Sequence, residues 1–291
     1  MRLLAIADLH ISHKSNKEAL YQLREHPDDG LIICGDVGEK LEHLRTVFEL
    51  TKQLFKQVWW VPGNHELYTL PNERAGLRGE QKYNECVRVA NEYGVITPED
   101  EYVRWDGDGG PCIVAPIFTL YDYSFRPDSV KREDALDWAA ETDVMATDEV
   151  LLHPDPYPSR DAWCTALVNR TSARLEKAAA LGLPLIIANH WPLRQDLVKL
   201  VRIPRFSLWC GTKLTEDWHT RFNAKVVVSG HLHIRRTDHI DYVRFEEVSL
   251  GYPKQWEAAR AMGKDINDLL REILPGPAYQ GNEPTIWRHL G

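Results

Sequence analysis

Five short pieces of the chain carry side chains able to hold metal: Asp8-Leu9-His10, Gly35-Asp36, Gly63-Asn64-His65-Glu66, Asn189-His190 and Gly230-His231-Leu232-His233. Asp8, Asp36, Asn64, His10, His190, His231 and His233 together offer two carboxylates, one amide oxygen and four imidazoles. That donor set suits a pair of divalent or trivalent ions. Only the two carboxylates are charged, so two such ions leave the site net positive even with a hydroxide bound. Such a centre attracts an anion, and metal coordination lowers a water pKa to about 7, which supplies a nucleophile near neutral pH. Two cations roughly 3.5–4 Å apart also clamp the attacking and leaving oxygens of an in-line displacement at phosphorus. The chemistry that fits is phosphoester hydrolysis. Asp36, free at a strand end, is placed to bridge the ions, and Asn64 to stabilise phosphoryl oxygens. His65 lies beside Asn64 without being needed as a ligand. Its expected work is to protonate the leaving oxygen or stabilise the phosphoryl group, help that contributes typically about 10²–10⁴-fold.

Ligands this far apart in sequence need rigid elements to bring them together. Each piece directly follows a short apolar run that reads as a strand: Leu3–Ala7, Leu31–Cys34, Val58–Val61, Leu185–Ala188 and Val226–Ser229. Strand ends are fixed points from which such side chains meet. Residues i and i+2 of a strand share a side, so Asp8 with His10, and His231 with His233, each present two ligands to one cavity. Between the strands, Ser15-Asn16-Lys17-Glu18 has the form of a capping box opening a helix to about Glu25. Leu41, Leu44, Val47, Phe48, Leu54 and Phe55 form a helical stripe, and Gln81–Tyr93 reads as a further helix. Strand Cys112–Ile117 follows, then a helix from Ser159 to Leu181 ended by Gly182, a strand Val243–Val248, and a helix Trp256–Ile273. This alternation implies a parallel or mixed sheet covered by helices. Two stretches, 119–160 and 194–222, are long and irregular, as lids and binding loops often are. No repeat or linker interrupts the chain, and residues 1–291 read as one domain carrying these two insertions.

Composition narrows the possibilities further. Hydrophobic content of 43% and ten tryptophans provide for a sizeable core in 291 residues. A net charge of −8 and a pI near 5.8 argue against a general nucleic-acid binder. The five cysteines, odd in number and without a CxxC pair, fit a reduced compartment better than a disulfide framework. Asp8 follows the first apolar run too soon for a signal peptide, and no run approaches the roughly 20 residues of a membrane span. A soluble, cytoplasmic protein is expected.

The ordered blocks D-x-H, G-D, G-N-H-[D/E], H and G-H-x-H across residues 8–233 resemble the calcineurin-like metallophosphoesterases. The resemblance implies an α/β, four-layer αββα sandwich with its site at strand ends. It also implies that Asp8, His10, Asp36 and His233 hold one metal while Asp36, Asn64, His190 and His231 hold the other. Manganese and iron are expected first, and zinc or mixed pairs suit the same ligands. Glu66 stands where many members carry Asp, which leaves the ligand assignment intact. Further blocks lie outside the ligands: Leu120–Phe125, Ala146–Glu149, Tyr157–Cys164, Phe206–Thr212, Asp217–Arg221 and Val243–Val248. These resemble the actinobacterial phosphopantetheinyl hydrolases, which remove the 4′-phosphopantetheine arm from holo acyl carrier protein. The resemblance spans roughly residues 3–256.

Within the insertions, Tyr121, Tyr123, Phe206 and Trp209 either line a slot for such an arm or pack in the core. Lys199, Arg202, Arg205 and Lys213 form either a solvated positive face or a basic rim for an acidic partner. Two rival functions remain. A nucleotide or cyclic-nucleotide phosphodiesterase would use the same metals, and a metal-free interaction scaffold would hydrolyse nothing. The sequence does not fix the oligomeric state.

Overall fold

The computed structural model describes residues 1–71, 76–277 and 283–288. Eleven strands run in chain order among them: β1 (Leu3–Ile6), β2 (His26–Cys34), β3 (Phe55–Val61), β4 (Val103–Trp105), β5 (Cys112–Pro116), β6 (Leu185–Ala188), β7 (Ala224–Ser229), β8 (Arg236–Ile240), β9 (Val243–Glu247), β10 (Arg271–Leu274) and β11 (Ile286–Trp287). They form two sheets, ordered β10-β1-β2-β3 and β11-β8-β9-β7-β6-β5-β4. The pairs β1-β2, β2-β3, β5-β6, β6-β7 and β7-β9 are parallel, and the remaining pairs are antiparallel.

The apolar runs are continuous because these strands are buried on both faces. Leu3, Ala5, Ile32, Cys34, Trp59 and Val61 face the second sheet, where Cys112, Val114, Ile186, Ala188, Val226 and Val228 meet them. The alternate residues Leu4, Ile6, Leu31, Ile33, Val58 and Trp60 belong to the main core, with the helices. Helix Leu41–Leu54 buries Leu44, Val47 and Phe48, the last against Trp60 with ring centroids 5.8 Å apart. Helix Arg160–Ala179 buries Trp163, Leu167 and Leu175. Two sheets face to face with helices outside give the expected α/β sandwich. All five cysteines are buried, and none is in a disulfide among the described residues. Among the described residues, no helix is long and apolar enough to cross a membrane.

Three expectations shift. The first helix spans Lys14–Leu20 with His13 at its N-cap, so Ser15 lies inside it rather than capping it. That helix ends early because β2 begins at His26, where it pairs with Phe55 of β3. The expected helix Trp256–Ile273 is three elements: helix Pro253–Ala261, a 3₁₀ turn Ile266–Leu269 and β10. Gly263, at φ +78°, takes the left-handed conformation that ends a helix, and β10 then pairs antiparallel with β1.

Candidate metal centre

The parallel strands of both sheets deliver their carboxyl ends to one place. Ala7, just past β1, bridges Ser249, just past β9, and Leu250 N donates to Ala7 O at 2.8 Å. At this seam the sheets join, and the five turns that carry the candidate ligands emerge around it. Asp8, His10, Asp36, His231 and His233 all have positive φ, between 41° and 71°. For residues with a Cβ this conformation is uncommon and costs of order 1–3 kcal/mol each. Backbone bonds hold it: Asp8 N donates to Gly35 O at 2.9 Å and His10 N to Asp36 O at 3.0 Å. The glycines of the motifs have a steric cause. A Cβ at Gly63 would overlap the Asp36 carboxylate, and one at Gly230 would overlap that of Asp8.

One group of donor atoms, from Asp8, His10, Asp36 and His233, lies within 4.8 Å of one another. His233 Nε2 is 2.8 Å from Asp8 Oδ1 and 3.3 Å from His10 Nε2, which in turn is 3.8 Å from Asp36 Oδ2. A second group continues from Asp36: His190 Nε2 is 3.5 Å from Asp36 Oδ2 and 3.3 Å from Asn64 Oδ1. The His231 ring is centred 5.1 Å from that of His190, and its buried Nε2 has no hydrogen-bond partner among the described residues. Carboxylate oxygens, an amide oxygen and imidazole nitrogens thus converge, with Asp36 Oδ2 at 3.5–3.9 Å from three imidazole nitrogens. Cations resolve that convergence, so the residues fit a pair of metal ions.

Neighbouring groups fix the state of these candidate ligands. His190 Nδ1 donates to Cys34 O at 2.8 Å, and His233 Nδ1 to Gln255 Oε1 at 2.7 Å, leaving each Nε2 free to ligate. Burial holds His10 and His231 well below the usual histidine range, with His65 adding to the effect at His10 and His190 at His231. Both are therefore neutral imidazoles, the form a metal needs. Burial alone would raise the Asp8 carboxyl, but the charge of His233 and its hydrogen bond to Asp8 hold it well below the carboxylate range. Ser249 Oγ donates to Asp8 Oδ2 at 2.6 Å. Glu66 accepts from the backbone N–H groups of Asp36 (3.0 Å), Val37 (2.7 Å) and Gly63 (2.9 Å), tying the turns after β2 and β3 together.

His65 lies outside both ligand groups, 3.9 Å from Asp36 Oδ2. Its Nδ1 donates to Glu39 Oε1 at 3.0 Å, and its Nε2 lies 3.3 Å from the Tyr252 hydroxyl. Burial lowers its pKa, but Asp36 and Glu39 raise it further, to about 9.

A cavity of about 350 Å³ opens over Asp36, Asn64, His65, His231 and His233. Its walls include Ala146 and Asp148 from the first insertion, Leu200, Ile203 and Phe206 from the second, and Tyr252. Of the four aromatic residues read as either slot or core, Phe206 is in the wall. Tyr121, Tyr123 and Trp209 are not; they are fully buried core residues, and both Tyr123 and Trp209 donate to Glu149 Oε1. Arg205 is likewise turned away, donating to the Trp138 carbonyl and to Glu141 Oε2 at 2.7 Å.

Sequence reasoning missed Glu39, Tyr68, Asp148, Tyr252 and Gln255. For Tyr252 and Gln255 a signal existed, since Pro253 marks a helix start there. Asp148 lies in the block Ala146–Glu149 that carries the resemblance, without a role there, and for Tyr68 no spacing rule pointed to the site.

Residues 1–235 match the calcineurin-like phosphoesterase family. The chain is 45% identical over 281 residues to the acyl-carrier-protein phosphodiesterase PptH of Mycobacterium tuberculosis, covering 95% of this chain and 84% of that protein. The crystal structure of phosphopantetheinyl hydrolase PptH from Mycobacterium tuberculosis aligns with a TM-score of 0.89 at 44% identity, covering 97% of this chain and 98% of that one.

Proposed function

The chain belongs to the calcineurin-like phosphoesterase family, and on that footing we propose that it is a dinuclear metal-dependent phosphodiesterase that frees the 4′-phosphopantetheine arm from holo acyl carrier protein. The observation that carries the substrate is the 45% identity to a carrier-protein phosphodiesterase over 95% of this chain, well beyond the metal motifs. The reading takes residues 1–291 as one such domain, with β10 drawn from beyond the family match and paired to β1.

Asp8, His10, Asp36 and His233 would hold one ion, and Asp36, Asn64, His190 and His231 the other. Manganese and iron are the first choices and zinc a further one. Bound there, the ions supply Lewis acidity and make water available as a nucleophile near neutral pH. The protein supplies the rest. Asn64 directs its amide oxygen at the same space as His190 and Asp36. His65, with Nδ1 fixed by Glu39, turns Nε2 to the cavity, where it donates a proton to the departing serine oxygen or a hydrogen bond to the phosphoryl group. Leu200, Ile203 and Phe206 give the arm an apolar wall.

Outside the pocket, Lys199 and Arg202 are exposed and form no ion pair among the described residues, whereas Lys213 is paired with Asp128 and Arg205 with Glu141. The basic rim thus narrows to two residues, and they suit an acidic partner arriving at the mouth.

Intact-mass measurement of holo carrier protein before and after treatment tests the reading. A loss of one phosphopantetheine unit, abolished by a chelator, is expected. Rapid turnover of nucleotides or cyclic nucleotides with no change in carrier mass would replace it with the nucleotide reading. No bound metal and no hydrolysis of an aryl phosphodiester would point to a scaffold.

A further inference from the structure

One charged side chain of the first insertion penetrates to the metal centre. Asp148 begins the short helix Asp148–Leu151, is only 2% exposed, and lies 84 residues after Asn64. Its Oδ1 accepts from the Tyr68 hydroxyl at 2.6 Å and from Asn64 Nδ2 at 3.0 Å. Asn64 Nδ2 also donates to the Tyr68 oxygen at 2.9 Å. The amide nitrogen is thereby committed to the Asp148–Tyr68 side. Asn64 Oδ1 faces the other way, 3.3 Å from His190 Nε2.

The two ends of a side-chain amide are nearly the same size, so packing alone does not choose between them; hydrogen-bond partners do. The choice matters because the oxygen can ligate a cation and the NH₂ cannot. The position of Asp148 is itself secured from behind. Arg160 Nη2 donates to the carbonyls of Asp148 (2.8 Å) and Glu149 (3.1 Å), and Nη1 reaches Glu149 Oε2 at 3.0 Å. The insertion therefore forms part of the support of the metal centre as well as part of the pocket wall.

We infer that Asp148 is a positioning residue that orients the Asn64 amide so that its oxygen faces the second metal position. The inference rests on the reading of Asn64 as a ligand in a two-metal centre. The work falls to Oδ1 as an acceptor, not to the charge of the carboxylate. Oδ2 lies in the buried wall with no hydrogen-bond partner among the described residues. Asp148→Asn keeps a carbonyl oxygen for the two donors and preserves the orientation. Asp148→Ala removes the acceptor and frees the amide to turn.

The test loads the full-length protein and each variant with Mn²⁺, desalts it, counts metal by elemental analysis and measures Mn²⁺ affinity by calorimetry. The wild type should hold two equivalents. Asp148→Ala should lose one of them, its affinity falling by about 10–100-fold, the usual effect of removing a group that orients a ligand. Asp148→Asn should keep both, and Tyr68→Phe, which removes one of the two acceptors for Asn64 Nδ2, should fall between. Two equivalents at wild-type affinity in Asp148→Ala would overturn the inference. So would a folded Asp148→Asn that loses an equivalent, and this arm decides the matter if circular dichroism shows the alanine variant unfolded. A wild type with fewer than two equivalents would overturn the two-metal reading, and the inference with it; a two-metal wild type with an indifferent Asp148→Ala would overturn the inference alone.

Discussion

The two insertions reach the same pocket by opposite physical routes. Residues 119–160 put exposed Met145 and Thr147 at the rim but reach the centre through a buried network: Asp148 is sunk beside Asn64, Tyr123 donates to Glu149, and Arg160 grips the chain at both residues. Residues 194–222 reach it through an exposed lip: Val201 is 91% and Ile203 45% exposed, and Lys199 and Arg202 point to solvent without ion pairs among the described residues. A buried polar network is costly to break because every unpaired group pays its desolvation. An exposed apolar and basic lip is cheap to alter in the free protein, and its contacts count when a partner covers it. On the proposed reading, the first insertion would act on metal geometry, and the second on what approaches the metals. This division makes the two separable by experiment.

The largest effect should come from the carboxylate that the two proposed ligand groups share. Asp36→Asn removes the carboxylate that faces both ligand groups, and we expect it to lose metal and all turnover above background, as elemental analysis and an aryl phosphodiester assay would show. Retention of both ions would mean that the two groups do not share Asp36. His65→Ala comes next. Its side chain is held by Glu39, outside either insertion. Turnover should fall by about 10²–10⁴-fold while metal content stays at the wild-type level. Loss of metal in that variant would make His65 structural and move its contribution to the framework. Glu66→Ala should act on the framework itself. It strips the acceptor from three backbone N–H groups of the turns after β2 and β3. Unpaired buried donors cost about 1–3 kcal/mol each, so urea unfolding of the metal-free protein should show a loss of at least about 3 kcal/mol. A smaller loss would mean that water reaches these amides.

The sequence disclosed the framework far better than the insertions, for a physical reason. Strands buried on both faces must be continuously apolar, and Asp, Asn and His at their ends stand out against such runs as candidate ligands. The runs before Asp8, Asp36, Asn64, His190 and His231 were therefore legible. So were the glycines, whose cause is the crowding of Asp36 against Gly63 and Asp8 against Gly230. The antiparallel strands β8 and β10 were not legible. Arg236–Ile240 is polar, and Arg271–Leu274 is short and hidden behind a helical periodicity that Gly263 breaks. The aromatic residues of the insertions were ambiguous because composition does not say which way a ring points. Phe206 faces the cavity, whereas Trp209, three residues on, is buried against Glu149. Asp148 could not be found by spacing, since its contact with Asn64 depends on how a long irregular segment folds back.

The smallest effect separates the lip from everything else. Reversing two exposed charges in Lys199→Glu combined with Arg202→Glu leaves the buried network of Asp148 and the ligands untouched. An exposed ion pair is worth about 0.2–1 kcal/mol, so reversal of two such contacts should weaken engagement of an acidic carrier protein by about 1–2 kcal/mol, roughly 10-fold in KM. Hydrolysis of a small aryl phosphodiester should stay at the wild-type rate, because that substrate reaches the metals without covering the lip. The difference between the two substrates should shrink as salt is raised, since the screening length is only about 8 Å at 0.15 M. An equal loss on both substrates would place these charges in the pocket's own electrostatics. An equal indifference would mean that an acidic partner does not approach across this lip, and the comparison between the insertions would then rest on the first alone.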